Sequence, residues 1–219
     1  MKKIFVFFVF TLHLTLYTVH CSYAKDYYPY FFDAQSLTGG SGKIFNPSTK
    51  TAGYNCFALG IHFFQLSISH GFPYRGEWGL FFDLKEVTKE QFDLKKIYLH
   101  AKYQIAHRKE EYFDLALGWK EEYFYLVSEK FFPQFYRGEL LIGLSLPKED
   151  DKIRAYPFFA FSQNIKSQMF IFEYNSKKDV YALGWRFLLS PKIKLDLFLI
   201  DLQKIKDINN FVFGLTLSS

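Results

Sequence analysis

The amino-acid sequence predicts an all-β fold, a single antiparallel transmembrane β-barrel of about 12 strands (10–12) after a cleaved signal peptide. Three observations lead to this prediction. Apolar and polar residues alternate with period two along most of the chain, aromatic residues make up 21% of it, and charges interrupt every apolar run after the N-terminal one. Successive side chains of a strand point to opposite faces, so the alternation predicts strands with one apolar and one polar face.

The first 24 residues have the organisation of a Sec-type signal peptide. Two lysines at positions 2 and 3 precede an apolar run over residues 4–16, and Ser22 and Ala24 supply the small residues that signal peptidase needs. The run is shorter than the about 20 residues of a transmembrane helix, so we expect cleavage after Ala24 rather than a retained anchor. The sequence therefore predicts export, and a barrel of this kind belongs in the bacterial outer membrane.

Cysteine usage and charge argue against several other classes of protein. Cys21 would be lipidated in a lipoprotein, but the residue before a lipidated cysteine is normally small and here it is His20. After cleavage Cys56 is the lone cysteine, so we expect neither an intrachain disulfide nor a zinc site. The 27 basic residues, less Lys2 and Lys3, leave 25 against 22 acidic residues, and this small excess indicates no nucleic-acid partner.

Residues 25–50 form a segment of different character. They combine an aromatic cluster over 27–32, a Gly/Ser-rich bend over 39–42 and the run Asn46-Pro47-Ser48. This composition predicts an irregular periplasmic lead-in, either mobile or tucked into the mouth of the barrel. The domain organisation is then a signal peptide (1–24), the lead-in (25–50) and a barrel domain (51–219). Because the barrel domain has no long loop, we expect no large constriction loop, receptor cap or plug domain.

The alternation is clearest in residues 96–106. Ile97, Leu99, Ala101, Tyr103 and Ile105 would share one face. The residues that alternate with them would share the other face, and these are Lys96, Tyr98, His100, Lys102 and Gln104. A helix would scatter both sets around its circumference. Turn-like clusters divide the chain into strands near 52–62, 64–70, 77–87, 95–107, 111–119, 122–130, 136–146, 153–163, 168–175, 179–189, 192–202 and 210–218, the first two being alternatively one bent strand. An even number returns both ends to the periplasmic side.

The character of the two faces favours a membrane barrel over a soluble sandwich, which also alternates. The apolar faces carry essentially no charge, as a lipid-facing surface requires. The opposite faces hold many small residues among the charged ones, which suits the crowded inside of a narrow barrel: Gly79, Ala116, Gly118, Gly143, Ala160, Ala182, Gly184 and Gly214. Closure would also pair every backbone group, which hydrocarbon demands. Trp78, Trp119 and Trp185 are the candidates for interfacial aromatic belts.

Residues 42–71 also resemble the start of bacterial outer-membrane β-barrel proteins of a porin-like family. In these a Gly-x-Ile-x-x-Pro-Ser segment leads into a first strand that ends Leu-Gly-x-His, and the matching residues are Gly42, Ile44, Pro47, Ser48, Leu59, Gly60 and His62. The last strand, NFVFGLTLSS over residues 210–219, is similar as well. The resemblance covers nearly the whole mature chain and implies a barrel with outer-membrane lipid and the outer-membrane assembly machinery as partners.

The polar faces supply the candidate lumen residues. They are Asp83, Lys96, His100, Lys102, Asp114, Arg137, Glu139, Arg154, Arg186, Lys194 and Asp196. These mixed charges would either line a small aqueous pore, with a modest preference for anions, or pair across the lumen and fill it. The leading hypothesis is a structural or narrow-pore barrel without catalytic residues, cofactor or metal.

Two rival hypotheses remain. The first is a lipid- or peptide-processing barrel enzyme that uses His70 with Ser67 or Ser69, since these three form the one compact Ser/His group in the mature sequence. The second is a soluble periplasmic β-domain that binds an apolar ligand in its core. The sequence indicates neither the solute nor the oligomeric state.

Overall fold

The computed structural model describes residues 31, 34–63, 65–83, 97–108, 113–132, 137–204 and 210–219, and its strands close into an antiparallel barrel. The predicted signal peptide and residues 25–30 lie outside the described residues. The described residues form fourteen strands, and all of them except β8 and β9 build the barrel. The strands are β1 Phe57–His62, β2 Gln65–Phe72, β3 Gly76–Asp83, β4 Ile97–Arg108, β5 Phe113–Lys120, β6 Tyr123–Phe132, β7 Gly138–Leu146, β8 Lys148–Glu149, β9 Lys152–Ile153, β10 Tyr156–Ile165, β11 Gln168–Asn175, β12 Val180–Ser190, β13 Ile193–Ile200 and β14 Phe211–Ser218.

Each barrel strand pairs with its neighbours in the chain, and β14 pairs with β1 to complete the circle. The closing register runs from Ala58 opposite Ser218 to His62 opposite Gly214. The short strands β8 and β9 form a separate hairpin between β7 and β10. The predicted all-β fold with a single closed barrel is therefore confirmed. Among the described residues no helix is long and apolar enough to cross a bilayer.

The two faces of the strands differ as the alternation predicts. In β4, Leu99, Tyr103 and Ile105 point outward with 49%, 47% and 53% of their surface exposed, whereas His100 and Lys102 are buried. The same inversion, apolar outside and polar inside, holds in β13, where Lys194 and Asp196 are buried. A soluble protein buries its apolar face, so this barrel has the arrangement of one whose outside is not in water.

The barrel has two unlike ends. The end that holds Phe57 and Ser219, here called the terminal end, has connections of two to five residues (73–75, 109–112, 133–137, 166–167 and 191–192). The opposite end, here called the loop end, also has connections of thirteen, nine and ten residues (84–96, 147–155 and 201–210). Outer-membrane barrels have short periplasmic turns and longer outer loops.

Two boundaries differ from the prediction for local reasons. The first strand begins at Phe57 and not near residue 52, because the chain turns over residues 53–56, where Cys56 N donates to Gly53 O at 2.9 Å. The strand expected from residue 153 begins at Tyr156, because Lys152 and Ile153 pair within the β8–β9 hairpin instead. Asp150 and Asp151 form its tip with positive φ angles of 48° and 61°, as in the type I′ turn of two-residue hairpins.

Candidate functional site: the filled lumen

The interior of the barrel is occupied by residues 34–52, here called the lumen segment. Every residue from Ala34 to Lys43 is buried although none belongs to a barrel strand. Side chains of an eight-stranded barrel can fill its interior, but twelve strands enclose more space. The lumen segment fills that space. The composition of residues 25–50 predicts a lead-in that is either mobile or tucked into the mouth of the barrel, and the lack of a long loop predicts no plug domain. The structure instead places residues 34–52 inside the lumen.

Both ends of the lumen segment lie toward the terminal end. Gln35 N donates to Thr216 Oγ1 at 3.3 Å, and Thr216 is the third residue from the end of β14. Thr38 accepts a hydrogen bond from Lys120, the last residue of β5 at the loop end. Lys50 pairs with Asp114, the second residue of the same strand, so the segment has returned along β5 to the terminal end. Its turn at the loop end contains Gly39 and Gly40, whose φ angles of 79° and 75° are readily adopted only by glycine.

Two carboxylates of the wall bind backbone amides of the lumen segment. Glu173 accepts the three successive N–H groups of Ile44, Phe45 and Asn46, at 3.0, 2.6 and 3.2 Å. Glu77 accepts Ser41 N at 2.8 Å, Ser41 Oγ at 2.6 Å and Ala52 N at 2.7 Å. A buried segment outside the helices and strands needs partners for its N–H groups. These two side chains supply them for Ser41, Ile44, Phe45, Asn46 and Ala52, whereas others, such as Leu37 N and Gly42 N, donate to carbonyl oxygens within the segment.

A second acidic group lies in the terminal half of the lumen and binds the two lysines of the segment. This acidic cluster consists of Asp114, Glu129 and Glu139, from the neighbouring strands β5, β6 and β7. Lys43 donates to Glu139 and lies 3.9 Å from Glu129, and Lys50 donates to Asp114. Thr49 also donates to Glu129 through its backbone N at 3.1 Å.

The basic residues of the wall bind carbonyl and hydroxyl oxygens of the segment. Arg186 donates to the carbonyl oxygens of Gln35 at 3.0 Å, Gly42 at 3.1 Å and Lys43 at 3.3 Å. Its guanidinium also pairs with Asp196, with 2.5 Å between Nε and Oδ1. Lys102 donates to the Ser41 carbonyl oxygen at 2.9 Å. Wall donors therefore meet segment acceptors, and wall acceptors meet segment donors.

The lumen segment also has an apolar side, which packs against the opposite part of the wall. Leu37 and Ile44 belong to one buried cluster with Met169 and Ile171 of β11 and Phe198 of β13. Small wall residues leave room for the segment. A Cβ atom on Gly60 would lie 2.6 Å from Gln35 Cβ, and one on Gly184 would lie 3.0 Å from Ile44. One cavity between the described parts of the segment and the wall, next to Lys43, Glu139 and Arg186, measures only about 10 Å³, room for about one water molecule.

The structure places most of the predicted lumen residues inside the barrel. Seven are buried there: His100, Lys102, Asp114, Glu139, Arg186, Lys194 and Asp196. Asp83 and Arg137 lie half-buried at or next to strand ends, and Lys96 lies outside the described residues. Arg154 departs from the prediction. It follows the β8–β9 hairpin with 55% of its side chain exposed, 3.5 Å from Glu149, because the barrel strand starts only at Tyr156.

The three tryptophans all lie on the outer side of the wall, at different depths. Trp78 is 49% exposed near the terminal end of β3, and Trp119 is half-buried next to the loop end of β5. Trp185 is half-buried and stacks on Phe170 with 5.1 Å between ring centroids. It is the sixth of the eleven residues of β12, so it lies in mid-strand and not at a rim.

The structure separates His70 from the two serines that were its candidate partners. Ser67 and Ser69 point into the barrel, whereas the ring of His70 lies between Phe57 and Trp78, with centroids 4.4 and 6.1 Å away. The alternation of side chains along β2 causes this separation, because Ser67 and Ser69 lie on the inner face of the strand and His70 lies on the outer face. The hypothesis of a His70 catalytic pair is therefore wrong.

Ser69 meets a different histidine inside the lumen. Ser69 Oγ lies 3.2 Å from His100 Nε2, and His100 Nδ1 lies 3.9 Å from Glu77 Oε1. This order of side chains is that of a hydrolase triad, but all three are buried, and Ser69 donates to Gln35 of the lumen segment at 2.8 Å. In this state no substrate reaches Ser69. Nor do three His, Cys, Asp or Glu side chains in the described part of the chain form a metal-binding group.

Sequence reasoning missed five charged residues that hold the segment. They are Lys43 and Lys50 of the segment itself and Glu77, Lys120 and Glu129 of the wall. Lys43 and Lys50 belong to a stretch without period-two alternation, so the sequence does not show which way their side chains point. In β6 aromatic and aliphatic residues occupy both faces, Tyr125 and Val127 inward and Phe124 and Leu126 outward, so the inward direction of Glu129 could not be read. The one sequence signal for an inward Glu129 was its charge, and the neighbouring residue, Lys130, is charged as well.

Comparisons with known proteins give little beyond this geometry. No protein-family model matches the chain, and no curated protein matches it. Among solved structures, one described as "KdgM porin" has 8% sequence identity and a TM-score of 0.39, covering 74% of this chain and 95% of its own. A second, "KdgM porin in complex with disordered oligogalacturonate", has 8% identity, a TM-score of 0.38 and the same coverage. Likenesses this weak say nothing about what this chain transports or binds.

Proposed function

We propose that the protein is a porin-like barrel of the bacterial outer membrane whose lumen is closed, in its resting state, by its own N-terminal segment. The observation that carries the proposal is the inverted surface: a closed barrel with aliphatic and aromatic side chains outside and charged ones inside. Barrel strands of 6 to 12 residues bracket the 9–11 of a tilted membrane strand. The short connections at the terminal end favour an orientation with that end in the periplasm.

The filled interior favours a closed barrel over a permanently open narrow pore. Segment and wall bind each other through carboxylates, amides and carbonyls over most of the lumen, and a cavity of about 10 Å³ admits no solute. We therefore expect the wild-type protein to fractionate with the outer membrane, to migrate differently on gels before and after heating, and to conduct little in planar bilayers.

Two exposed isoleucines provide a matched test of the membrane location. Ile142 is the fifth of nine residues in β7 and is 56% exposed, whereas Ile153 is 75% exposed in the β8–β9 hairpin. Ile142→Arg should cost about 2–4 kcal/mol if this position faces the bilayer midplane, because lipid cannot solvate the guanidinium. Ile153→Arg should cost almost nothing.

The measurement is the yield of heat-modifiable protein in the outer-membrane fraction. A water-soluble wild-type protein, or equal tolerance of both arginines, would overturn the membrane proposal and favour the soluble periplasmic domain.

A further inference from the structure

The buried charges of the barrel wall do not balance until the lumen segment is counted. Among the described residues, the wall buries six carboxylates, Glu77, Asp114, Glu129, Glu139, Glu173 and Asp196. With histidine counted as neutral, it buries four cationic side chains, Lys102, Lys120, Arg186 and Lys194. Two histidines, His62 and His100, are buried in the wall as well. The lumen segment has no acidic residue and two lysines, Lys43 and Lys50. The segment therefore supplies the two positive charges by which the wall falls short.

Both lysines are placed where the wall concentrates negative charge. Asp114 and Glu129 stand directly opposite each other in the β5–β6 register, an arrangement that destabilises a sheet when both are charged. Glu139 follows on the next strand. Lys43 and Lys50 put their ammonium groups among these three carboxylates, and Glu129 Oε1, although buried, still has no hydrogen-bond partner. The acidic cluster is therefore arranged to bind cations, and the ammonium groups of Lys43 and Lys50 are the cations bound there.

The lumen segment can leave the barrel without opening the wall. Both of its ends lie toward the terminal end, and its described contacts with the wall are hydrogen bonds, ion pairs and apolar packing. Cys56, next to the segment, is a free thiol and forms no cross-link. Withdrawal through the terminal end would leave a lumen that twelve strands make too wide for their own side chains to fill.

We propose that withdrawal of the lumen segment opens a pore that conducts small cations in preference to anions, with the acidic cluster as the selecting element. This inference rests on the proposed function. Rings and clusters of carboxylates select cations in channels, because they lower the energy of a cation and raise that of an anion inside a narrow low-dielectric passage. The two lysines then act as tethered cations that close the pore from within.

The test uses the full-length chain with Lys43→Gln and Lys50→Gln. Both changes keep a similar length and remove the charge that holds the segment against the acidic cluster. In planar bilayers with a potassium chloride gradient, we expect frequent openings where the wild type shows few. The reversal potential of these openings should shift toward the potassium equilibrium potential. Lys43→Arg with Lys50→Arg keeps the charge and should stay closed.

A second pair of substitutions tests whether the acidic cluster determines the preference for cations. Adding Glu129→Gln and Glu139→Gln to the opened protein should move the reversal potential most of the way back toward zero. Asp150→Asn with Asp151→Asn removes the same number of carboxylates from the exposed β8–β9 hairpin and should leave the potential of the opened protein unchanged.

The outcomes separate the two proposals. A heat-modifiable double-glutamine protein that never opens, or openings that prefer chloride or ignore Glu129 and Glu139, would overturn the inference and leave the barrel proposal intact. If the double variant does not fold, the wild type in rising urea replaces it, because urea solvates the peptide groups of the segment. Its openings must show the same cation preference. A wild type that never enters membranes would overturn the proposed function itself.

Discussion

The lumen and the β8–β9 hairpin both contain ion pairs, and their surroundings give these pairs different roles. In the hairpin, Lys148 Nζ lies 2.7 Å from Asp151 Oδ1, with 66% and 92% of the two side chains exposed. In the lumen, Arg186 pairs with Asp196 at 2.5 Å, and the side chains are 1% and 0% exposed. Water screens the first pair and solvates either partner alone, whereas an unpaired charge in the lumen has no such compensation. Burial, and not the presence of an ion pair, decides which charges hold this molecule together.

The largest effect should come from Arg186→Ala. The change removes the partner of Asp196 and the donor to three carbonyl oxygens of the lumen segment. Breaking a buried pair in this way typically costs about 3–5 kcal/mol. We expect the free energy of unfolding to fall by that amount in a urea titration followed by tryptophan fluorescence in detergent micelles.

Arg186→Lys sharpens this test. Lysine keeps the charge but lacks the planar fork that reaches both Asp196 and the backbone of the segment, so the loss should be intermediate. An Arg186→Ala protein as stable as the wild type would show that His62, whose Nε2 lies 2.7 Å from Asp196 Oδ2, suffices to compensate the carboxylate. Removing a partner of the buried ion pair would then cost no more stability than removing a partner of the exposed pair in the hairpin.

A smaller effect should follow from Glu173→Gln. One carboxylate oxygen becomes an amide NH₂, which cannot accept. Glu173 Oε2 accepts Ile44 N–H and Oε1 accepts those of Phe45 and Asn46, so either side-chain orientation leaves at least one buried N–H without its partner. Such a loss costs about 1–3 kcal/mol. The lumen segment should leave the barrel more often, so trypsin should cut after Lys43 and Lys50 faster than in the wild type. The cleavage products are measured by mass spectrometry.

The matched control lies in the hairpin. Glu149 accepts a hydrogen bond from Tyr156 Oη at 2.8 Å, partly exposed, and Glu149→Gln should leave the cleavage rate at Lys43 and Lys50 unchanged. Equal trypsin resistance of Glu173→Gln and the wild type would mean that Glu173 does not hold the segment.

The smallest effect should come from the hairpin pair itself. Lys148→Ala removes an exposed partner whose place water takes, so we expect stability within about 0.5 kcal/mol of the wild type. The urea midpoint and the cleavage pattern should both stay unchanged. A loss as large as that of Arg186→Ala would show that the hairpin is not solvated as its exposure indicates.

The strands were predictable because their periodicity is a local property. The outward and inward faces of β4 and β13 follow from alternation alone, and Leu195 and Lys194 point to opposite sides in any barrel built from that strand. The same rule, applied to residues 67–70, was enough to separate His70 from Ser67 and Ser69. Prediction failed at Arg154, where a small hairpin took the residues expected to begin a strand, and at Glu129, where both faces of β6 carry aromatic and aliphatic residues.

The sequence by itself determined an exclusively β fold, a strand count of about twelve and the direction of most side chains, because each of these depends on neighbours one or two positions away. The tertiary structure alone decided that residues 34–52 fill the lumen. The partners of the segment lie on strands far along the chain, such as Glu139 for Lys43 and Glu173 for Ile44, at separations of 96 and 129 residues. An irregular run of glycine, serine and threonine contains no local sign of such partners, since only closure of the barrel brings them together.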